Sequence, residues 1–470
     1  MLLNETLLWS TLFFNPHRTA APNAPEAPPD PLTHGLPLPG VVNRPAACMQ
    51  QPGDALLQTS ATHPDTPPPG ALDGIRVLDL SRVVAAPLAA QMLGDLGADV
   101  IKVERPGAGD DIRRYGPVYA TDVTTGEPGD SAYYLAFNRN KRGVTVDFSR
   151  PEGAEIIRQL ACQCDVLIEN YKVGDLARHG LDYASLSRIA PRLVYCSVTG
   201  YGQTGPYATR AGFDAVFQAQ SGFMHAVGQP DGSGQVTPHL APIVAVDLIT
   251  GNHAALAILA ALLRRERTGR GQSIDIALLD CAVAFSSYGA QQHLISGGDP
   301  LLRVQLGLLE IMECADGPVL LLGTRDPQFA RICTLLGQPE LARDPRFATG
   351  ALRHTHRAVL RQILEPLVRP WKRSELLDRI ADEGLMAGAV HSIPEALANE
   401  QVRSRAMAVP VPTPRYPDLR LVGSPLKLGE TPGTIRRPPP GFGEHTEEVL
   451  RQMLGYDDAR IRSLRASKIV

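Results

Sequence analysis

From Leu72 onward the chain alternates short β-rich apolar runs with stretches of helical apolar spacing, and no other feature narrows its fold as much. Ile75 to Leu80 (IRVLDL) reads as a strand. Pro87 to Leu96 (PLAAQMLGDL) reads as a helix with a proline suited to its first turn, Gly97 closes it, and Val100 to Glu104 (VIKVE) is the next strand. The pattern continues with a strand at Val144 to Phe148, a helix at Pro151 to Cys162 and a strand at Asp165 to Glu169. A short helix at Tyr183 to Ile189, a strand at Leu193 to Val198, a long apolar helix at Leu248 to Arg264 and a strand at Ser273 to Ala277 follow. A helix between two strands returns the chain in the same direction. The pattern therefore predicts a mostly parallel sheet covered on both faces. Ligands of such sheets lie beyond the carboxyl ends of the strands.

The texture changes after about Gly298. Strand-like Val319 to Leu322 leads into helices at Pro327 to Leu336, Arg357 to Val368 and Ser374 to Glu383, which predicts a smaller α+β domain. Arg415 to Lys427 reads as extended, Arg436 to Pro440 as a proline-rich connector, and Thr446 to Leu454 as a final helix. Before Leu72 the composition is different. Pro16 to Pro69 holds 14 of the 41 prolines and has no sustained periodicity. Such a stretch buries too little apolar surface to offset the entropy of ordering, so residues 1–70 are expected to be disordered. They read either as a tail or as translation upstream of a start such as Met49; Glu5 and the missing basic n-region make a poor signal peptide. The expected division is 1–70, a large α/β domain at 71–297, a small α+β domain at 298–400, and a C-terminal segment at 401–470.

A net charge of -3 points to neither a nucleic-acid nor a membrane-surface partner, and the sequence reads as having no apolar run long enough to span a bilayer. The seven cysteines are scattered, and Cys162 and Cys164 lack a second pair for a metal site. Free thiols in the cytoplasm are expected, with no bound metal. Gly200 to Gly205 (GYGQTG) matches G-x-G-x-x-G and follows a strand. Its place mid-chain, with Pro206 next, favours a turn that lets backbone approach another group over a dinucleotide fingerprint. No G-x-S-x-G or H-E-x-x-H occurs, and His445 reads as part of a helix start. Lys102, Arg105, Arg113, Arg114, Lys141 and Arg142 lie near strand ends and read as solvated charges, with Arg105 best placed to grip a phosphate. Asp247 ends the run Ala241 to Val246, just before the long helix. It is read both as an N-cap aspartate and as a carboxylate kept ionised by the helix start, ready for nucleophilic work.

Several stretches in combination resemble the family III CoA transferases, over about residues 72–470. They are GIRVLDLSRVVAAPLAAQMLGDLGADVIKVERPGAGD (74–110), FNRNKRGVTVDF (137–148), ENYKVGDLARHGL (169–181), SVTGYGQTGP (197–206), AGFDAVFQAQSGFM (211–224), RTGRGQSIDIALLD (267–280), VGSPLKLG (422–429) and GEHTEEVL (443–450). The resemblance implies a Rossmann-like parallel-sheet large domain plus a smaller α+β domain, in a homodimer of two interlocked rings. It implies CoA transfer from an acyl-CoA to a carboxylic acid, with CoA as substrate and no permanent cofactor. The implied nucleophile is Asp247. The implied CoA contacts are Val84, Ala85, Arg105, Val146, Asp147, Phe148, Ser149, Asn170, Tyr171, Lys172, Arg178, Ala211, Gly212, Phe213 and Asp214, with Arg105 and Arg178 on phosphates.

Residues 170–206 and 211–228 look most like the members that use succinyl-CoA or glutaryl-CoA, and Arg114 or Arg142 would pair the second carboxylate. Two stretches depart from the family pattern. Asp299 to Asp316 is short and lacks the usual motif that reaches the active site, and Met386 to Val390 replaces a G-P-V turn. A catalytically silent CoA-binding homologue is the alternative these departures raise. The same fold hosts α-methylacyl-CoA racemases, whose A-G-H-D motif supplies a proton-moving histidine. Here that position is Phe213, which moves no proton.

Overall fold

The computed structural model describes residues 70–230, 235–298 and 307–470, so the reading of residues 1–70 falls almost wholly outside the described residues. The central sheet has strands β1 (Arg76–Asp79), β2 (Asp99–Glu104), β3 (Lys141–Thr145), β4 (Val166–Glu169), β5 (Val194–Thr199) and β6 (Ser273–Ala277). Their order is β6-β5-β4-β1-β2-β3, and every pairing is parallel. The chain builds outward from β1 one way through β2 and β3, then the other way through β4, β5 and β6. The direction of winding therefore switches between β1 and β4, where such sheets open a crevice at their carboxyl ends.

One face of the sheet carries α1 (Ala85–Asp95), α5 (Ala245–Thr268) and α6 (Leu278–Phe285), the first two meeting through Ala86, Ala89 and Leu93 against Ala254, Ile258 and Ala261. Small residues allow this approach: a Cβ on Gly251 of α5 would meet the Ala85 carbonyl oxygen at 2.6 Å. The opposite face carries α2 (Pro151–Cys162) and α3 (Tyr183–Ile189). It is completed from the far end of the chain by Val449, Leu450 and Ile461 of helices Thr446–Leu454 and Asp458–Ala466. A separate apolar core holds β7 (Leu308–Cys314), β8 (Gly317–Gly323) and β9 (Met386–Ala389) with the helices Asp326–Leu335, Arg357–Val368 and Arg373–Asp382.

Several expectations shift. Residues 308–314 form a strand where no strand was read, and Met386–Ala389 is its sheet's edge, not a turn. Thr446–Leu454 is followed by one more helix, capped by Asp457. The long apolar helix is three residues longer at its start than its apolar spacing suggests, and it is long and apolar enough to cross a membrane by length and composition. Its buried stripe is spent on α1 and the sheet. β3 begins at Lys141, not Val144, because Lys141 enters the interior already paired.

That pairing belongs to a buried ionic network under the carboxyl ends of β1 and β2. Lys102 and Lys141 have no solvent exposure. The Lys102 ammonium donates to the Asp110 carboxylate at 2.8 Å and to the Ser81 carbonyl at 3.0 Å. The Lys141 ammonium donates to Asp79 at 2.9 Å, to the Pro87 carbonyl at 2.9 Å and to Asn138 at 3.0 Å. Arg113 grips both oxygens of Glu104 at 2.7 Å; separately, at the amino ends of the strands, Arg142 is buried against Asp99. Of the six basic residues read as solvated, only Arg105 and Arg114 are exposed. Burial works against the Lys102 charge, but Asp110, Asp79 and Glu104 outweigh it and hold the ammonium above its usual range.

Breaking one partner of such a network leaves charge buried without a counter-ion. Lys102→Met is expected to lower the stability of the folded chain by about 3–5 kcal/mol, read by equilibrium urea unfolding at neutral pH. A loss under about 1 kcal/mol would mean that the network behaves as a surface pair.

Candidate active site

The loops that follow β1 and β4 meet at the switch point. Asn170 accepts a hydrogen bond from the Arg82 amide at 2.9 Å and donates one to the Arg82 carbonyl at 2.7 Å. Two cavities open on either side of this junction. The first, about 370 Å³, is lined by Arg105, Val146, Asp147, Phe148, Ser149 and Arg178. The second, about 320 Å³, is lined by Val84, Ala85, Asn170, Lys172, Ala211, Gly212, Phe213 and Asp247. Arg82, Tyr171 and Asp175 line both, so the cavities form one groove. The groove gathers every expected contact residue except Asp214, which is buried behind its wall.

Local chemistry explains this convergence. Val83 adopts a left-handed backbone (φ 71), a costly state for a β-branched residue, and its amide is held by Asp110 at 3.2 Å. That sharp turn sends Val84 and Ala85 into the groove at the start of α1. Phe148 meets Tyr171 edge to face at 5.5 Å, joining the loops after β3 and β4. The turn at Gly200 to Gly205 does what its glycines suggested: a Cβ on Gly200 would strike the Phe217 ring at 2.6 Å, and one on Gly212 would strike it at 2.4 Å. Arg82, His179 and Arg210 also line the groove and were missed. Arg82 carried a usable signal, since it follows the first strand directly; its guanidinium lies 4.9 Å from the Tyr171 ring centre.

Asp247 sits in the first turn of α5, whose N-cap is Val244, so the cap reading is overturned. The capping is done from outside. The Asp214 carboxylate, at the start of α4 (Asp214–Gln220), accepts from the Val246 amide at 2.7 Å and the Asp247 amide at 3.0 Å. The Val246 and Asp247 amides at the helix start are therefore already taken and are not free donors for an oxyanion. No donor among the described residues reaches the Asp247 carboxylate. Burial, with the nearby Asp214 charge, pushes Asp247 up to about 7, the reverse of the expected effect of the helix start.

Other expectations resolve plainly. Arg142 is the second residue of β3, toward the amino ends of the strands, bonded to Asp99 and Glu448, while Arg114 pairs with Asp111 on the surface; neither lines the groove. His445 is the N-cap residue of its helix and exchanges hydrogen bonds with the Gly143 backbone, a structural role. The six described cysteines are free.

The groove joins a cationic arm to a buried carboxylate on a parallel sheet, and the model of CoA-transferase family III matches residues 72–446. The chain belongs to CoA-transferase family III. It is thus an enzyme that uses CoA thioesters as substrates. This transferase is 41% identical over 394 residues to the succinate–glutarate CoA-transferase of Agrobacterium fabrum, covering 83% of this chain and 97% of that protein. It is 38% identical over 403 residues to the human succinyl-CoA:glutarate CoA-transferase, covering 85% and 90%. A CAIB/BAIF family protein from Brucella suis has a crystal structure with TM-score 0.74 and 38% identity, covering 82% of this transferase and 100% of that chain.

The raised Asp247 value has a stability consequence. A carboxyl whose folded value lies above its ordinary 3.8 favours the fold when protonated, and that contribution is lost as pH rises from about 4 through about 7. Asp247→Asn is expected to be more stable than the wild type above pH 7, by at most roughly 4 kcal/mol, with the difference closing near pH 4. Urea unfolding at fixed protein concentration reads this. A variant less stable than the wild type at pH 8 would count against the burial account.

Proposed function

We propose that this transferase moves CoA between short dicarboxylic acids such as succinate and glutarate through covalent intermediates on Asp247. The observation that carries the reading is the Asp247 carboxylate, buried in the wall of the groove with no donor among the described residues bonded to it. The names of the relatives support the acid class. Arg105 and Arg178 at the outer cavity fit the phosphates of CoA, and the path past Tyr171 and Asn170 fits pantetheine and the thioester.

The chemistry balances without an external acid or base. An Asp247 oxygen attacks the donor thioester carbonyl, and the C–S bond breaks to give a mixed anhydride and CoA thiolate. The thiolate attacks the aspartyl carbonyl, releases the donor carboxylate and leaves an aspartyl-CoA thioester. The acceptor carboxylate displaces the thiolate from that carbonyl. The thiolate then attacks the acceptor acyl carbon, restoring Asp247. Desolvation of Asp247 makes its anion a better nucleophile, and excluding water prevents hydrolysis.

The second carboxylate of the acid needs a cation near Asp247. Arg210 lines the same cavity, its guanidinium lies 3.7 Å from the Tyr207 ring centre, and no acidic partner among the described residues holds it. It takes the place that Arg114 and Arg142 cannot fill.

Assembly as an interlocked homodimer is part of the proposal. Leu256, Leu263, Phe285, Tyr288, Leu294 and Ile295 expose large apolar surfaces along α5, α6 and the helix Ser287–Ser296. The division at about 71–297, 298–400 and 401–470 follows the separate core around β7 and β8 and the C-terminal return to the sheet. The free cysteines favour the cytoplasm.

Two experiments test the reading. Incubating the enzyme with donor acyl-CoA and hydroxylamine is expected to convert Asp247 to a hydroxamate, detected by peptide mass. Asp247→Asn is expected to lose at least about 1000-fold in transfer while still binding CoA. Transfer at a near-normal rate by that variant, checked for deamidation, would refute the aspartyl route. Separately, Arg210→Gln is expected to raise the KM of dicarboxylate acceptors about 10-fold or more and leave monocarboxylate acceptors unaffected. An equal change for both acceptor types would move Arg210 to the CoA half of the site.

A further inference from the structure

The segment from Ala241 to Asp247 carries the nucleophile, yet it is loop up to Val244 and has no side-chain cap of its own. Its position is set from α4. Asp214 Oδ1 accepts from the amides of Val246 and Asp247, and Asp214 Oδ2 accepts from Gln218 Nε2 at 2.5 Å. Gln218 in turn accepts from the Ala241 amide at 3.1 Å and donates to the Ile243 carbonyl at 3.2 Å. Gln218 has no solvent exposure and Asp214 is 8% exposed. The two side chains, one helical turn apart, therefore hold both ends of the segment.

We propose that Asp214, locked by Gln218, is the positioning residue of this transferase: it sets the place of the Asp247 carboxylate and keeps it free of hydrogen bonds. This rests on Asp247 being the nucleophile. It replaces the expectation that Asp214 touches CoA, since Asp214 lies behind the groove wall. The physical logic is substitution. Without Asp214, the amides at the start of α5 would be available to other acceptors, the Asp247 carboxylate among them, and a carboxylate so bonded is a weaker nucleophile. With Asp214 bound there, those amides are saturated. The Asp214 charge also repels a charge on Asp247. The other charged groups around this pocket are Arg82 after β1, Lys172 and Asp175 after β4 and Arg210 before α4; Cys281 of α6 faces Thr250.

Two variants of the full chain separate this role from CoA binding. Asp214→Asn retains Oδ1 as acceptor for the two amides but loses the charge and sets its amide against the Gln218 amide. Its kcat is expected to fall, its KM for acyl-CoA to stay within about twofold, and the acid limb of its kcat–pH profile to move down by about one pH unit. Asp214→Ala removes the anchor, and kcat is expected to fall about 100-fold with KM again unchanged. A loss confined to KM in either variant would return Asp214 to the CoA site and overturn the proposal. So would an acid limb in Asp214→Asn that matches the wild type. If Asp214→Ala fails to fold, the Asn profile alone decides. Hydroxylamine capture at Asp247 in the wild type is independent of these results, so failure of the nucleophile assignment is seen separately.

Discussion

The ammonium of Lys102 lies inside the protein without solvent contact, and much of the site's shape depends on where it sits. It draws the Ser81 carbonyl and the Asp110 carboxylate to one point. Asp110 in turn holds the Val83 amide, and Val83 is the residue bent into a left-handed conformation. That bend starts α1 at Ala85 and leaves Arg82 on the crevice side, where Asn170 fixes it. A buried charge of this kind is costly alone and tolerable only when fully paired, so its partners have little freedom to move. Rigid placement of the loops after β1 and β4 follows from an electrostatic requirement under the sheet's edge.

A second constraint is set at the start of α5. A helix start offers free amides, and two carboxylates stand close enough to compete for them. Asp214 takes them and Asp247 does not. One carboxylate is thereby spent on structure, and the other stays desolvated, with no hydrogen-bond donor on it among the described residues. Burying Asp247 raises its proton affinity, which costs stability at neutral pH. On the proposed aspartyl route that cost is put to use, because a solvated carboxylate attacks a thioester poorly.

Much of this was legible in the sequence. The helix Pro151–Cys162 and the helix Thr446–Leu454 have the bounds that their spacing and start signals suggest. The carboxyl-end loops carry the contact residues that the family resemblance implied, and all but Asp214 line one groove. The misreadings share a cause. Lys102, Lys141, Arg113 and Arg142 read as surface charges because a single residue does not show its counter-ion, and their partners lie up to 62 positions away for Lys141 and 306 for Arg142. The strand at Leu308–Cys314 alternates buried and exposed side chains through Glu310, whose burial depends on Arg357. Asp247 read as a cap because aspartate before an apolar helix usually is one.

The sequence by itself determined the alternating parallel architecture and the chemical inventory of the site, because periodicity and motif composition are local properties of the chain. Only the tertiary structure decided which carboxylate caps α5 and which lines the groove. It alone decided that Arg142 faces away from the groove while Arg82 and Arg210 line it. Those outcomes depend on which groups share a desolvated volume and which amides are already taken, and both are set by residues distant in sequence that the fold brings together.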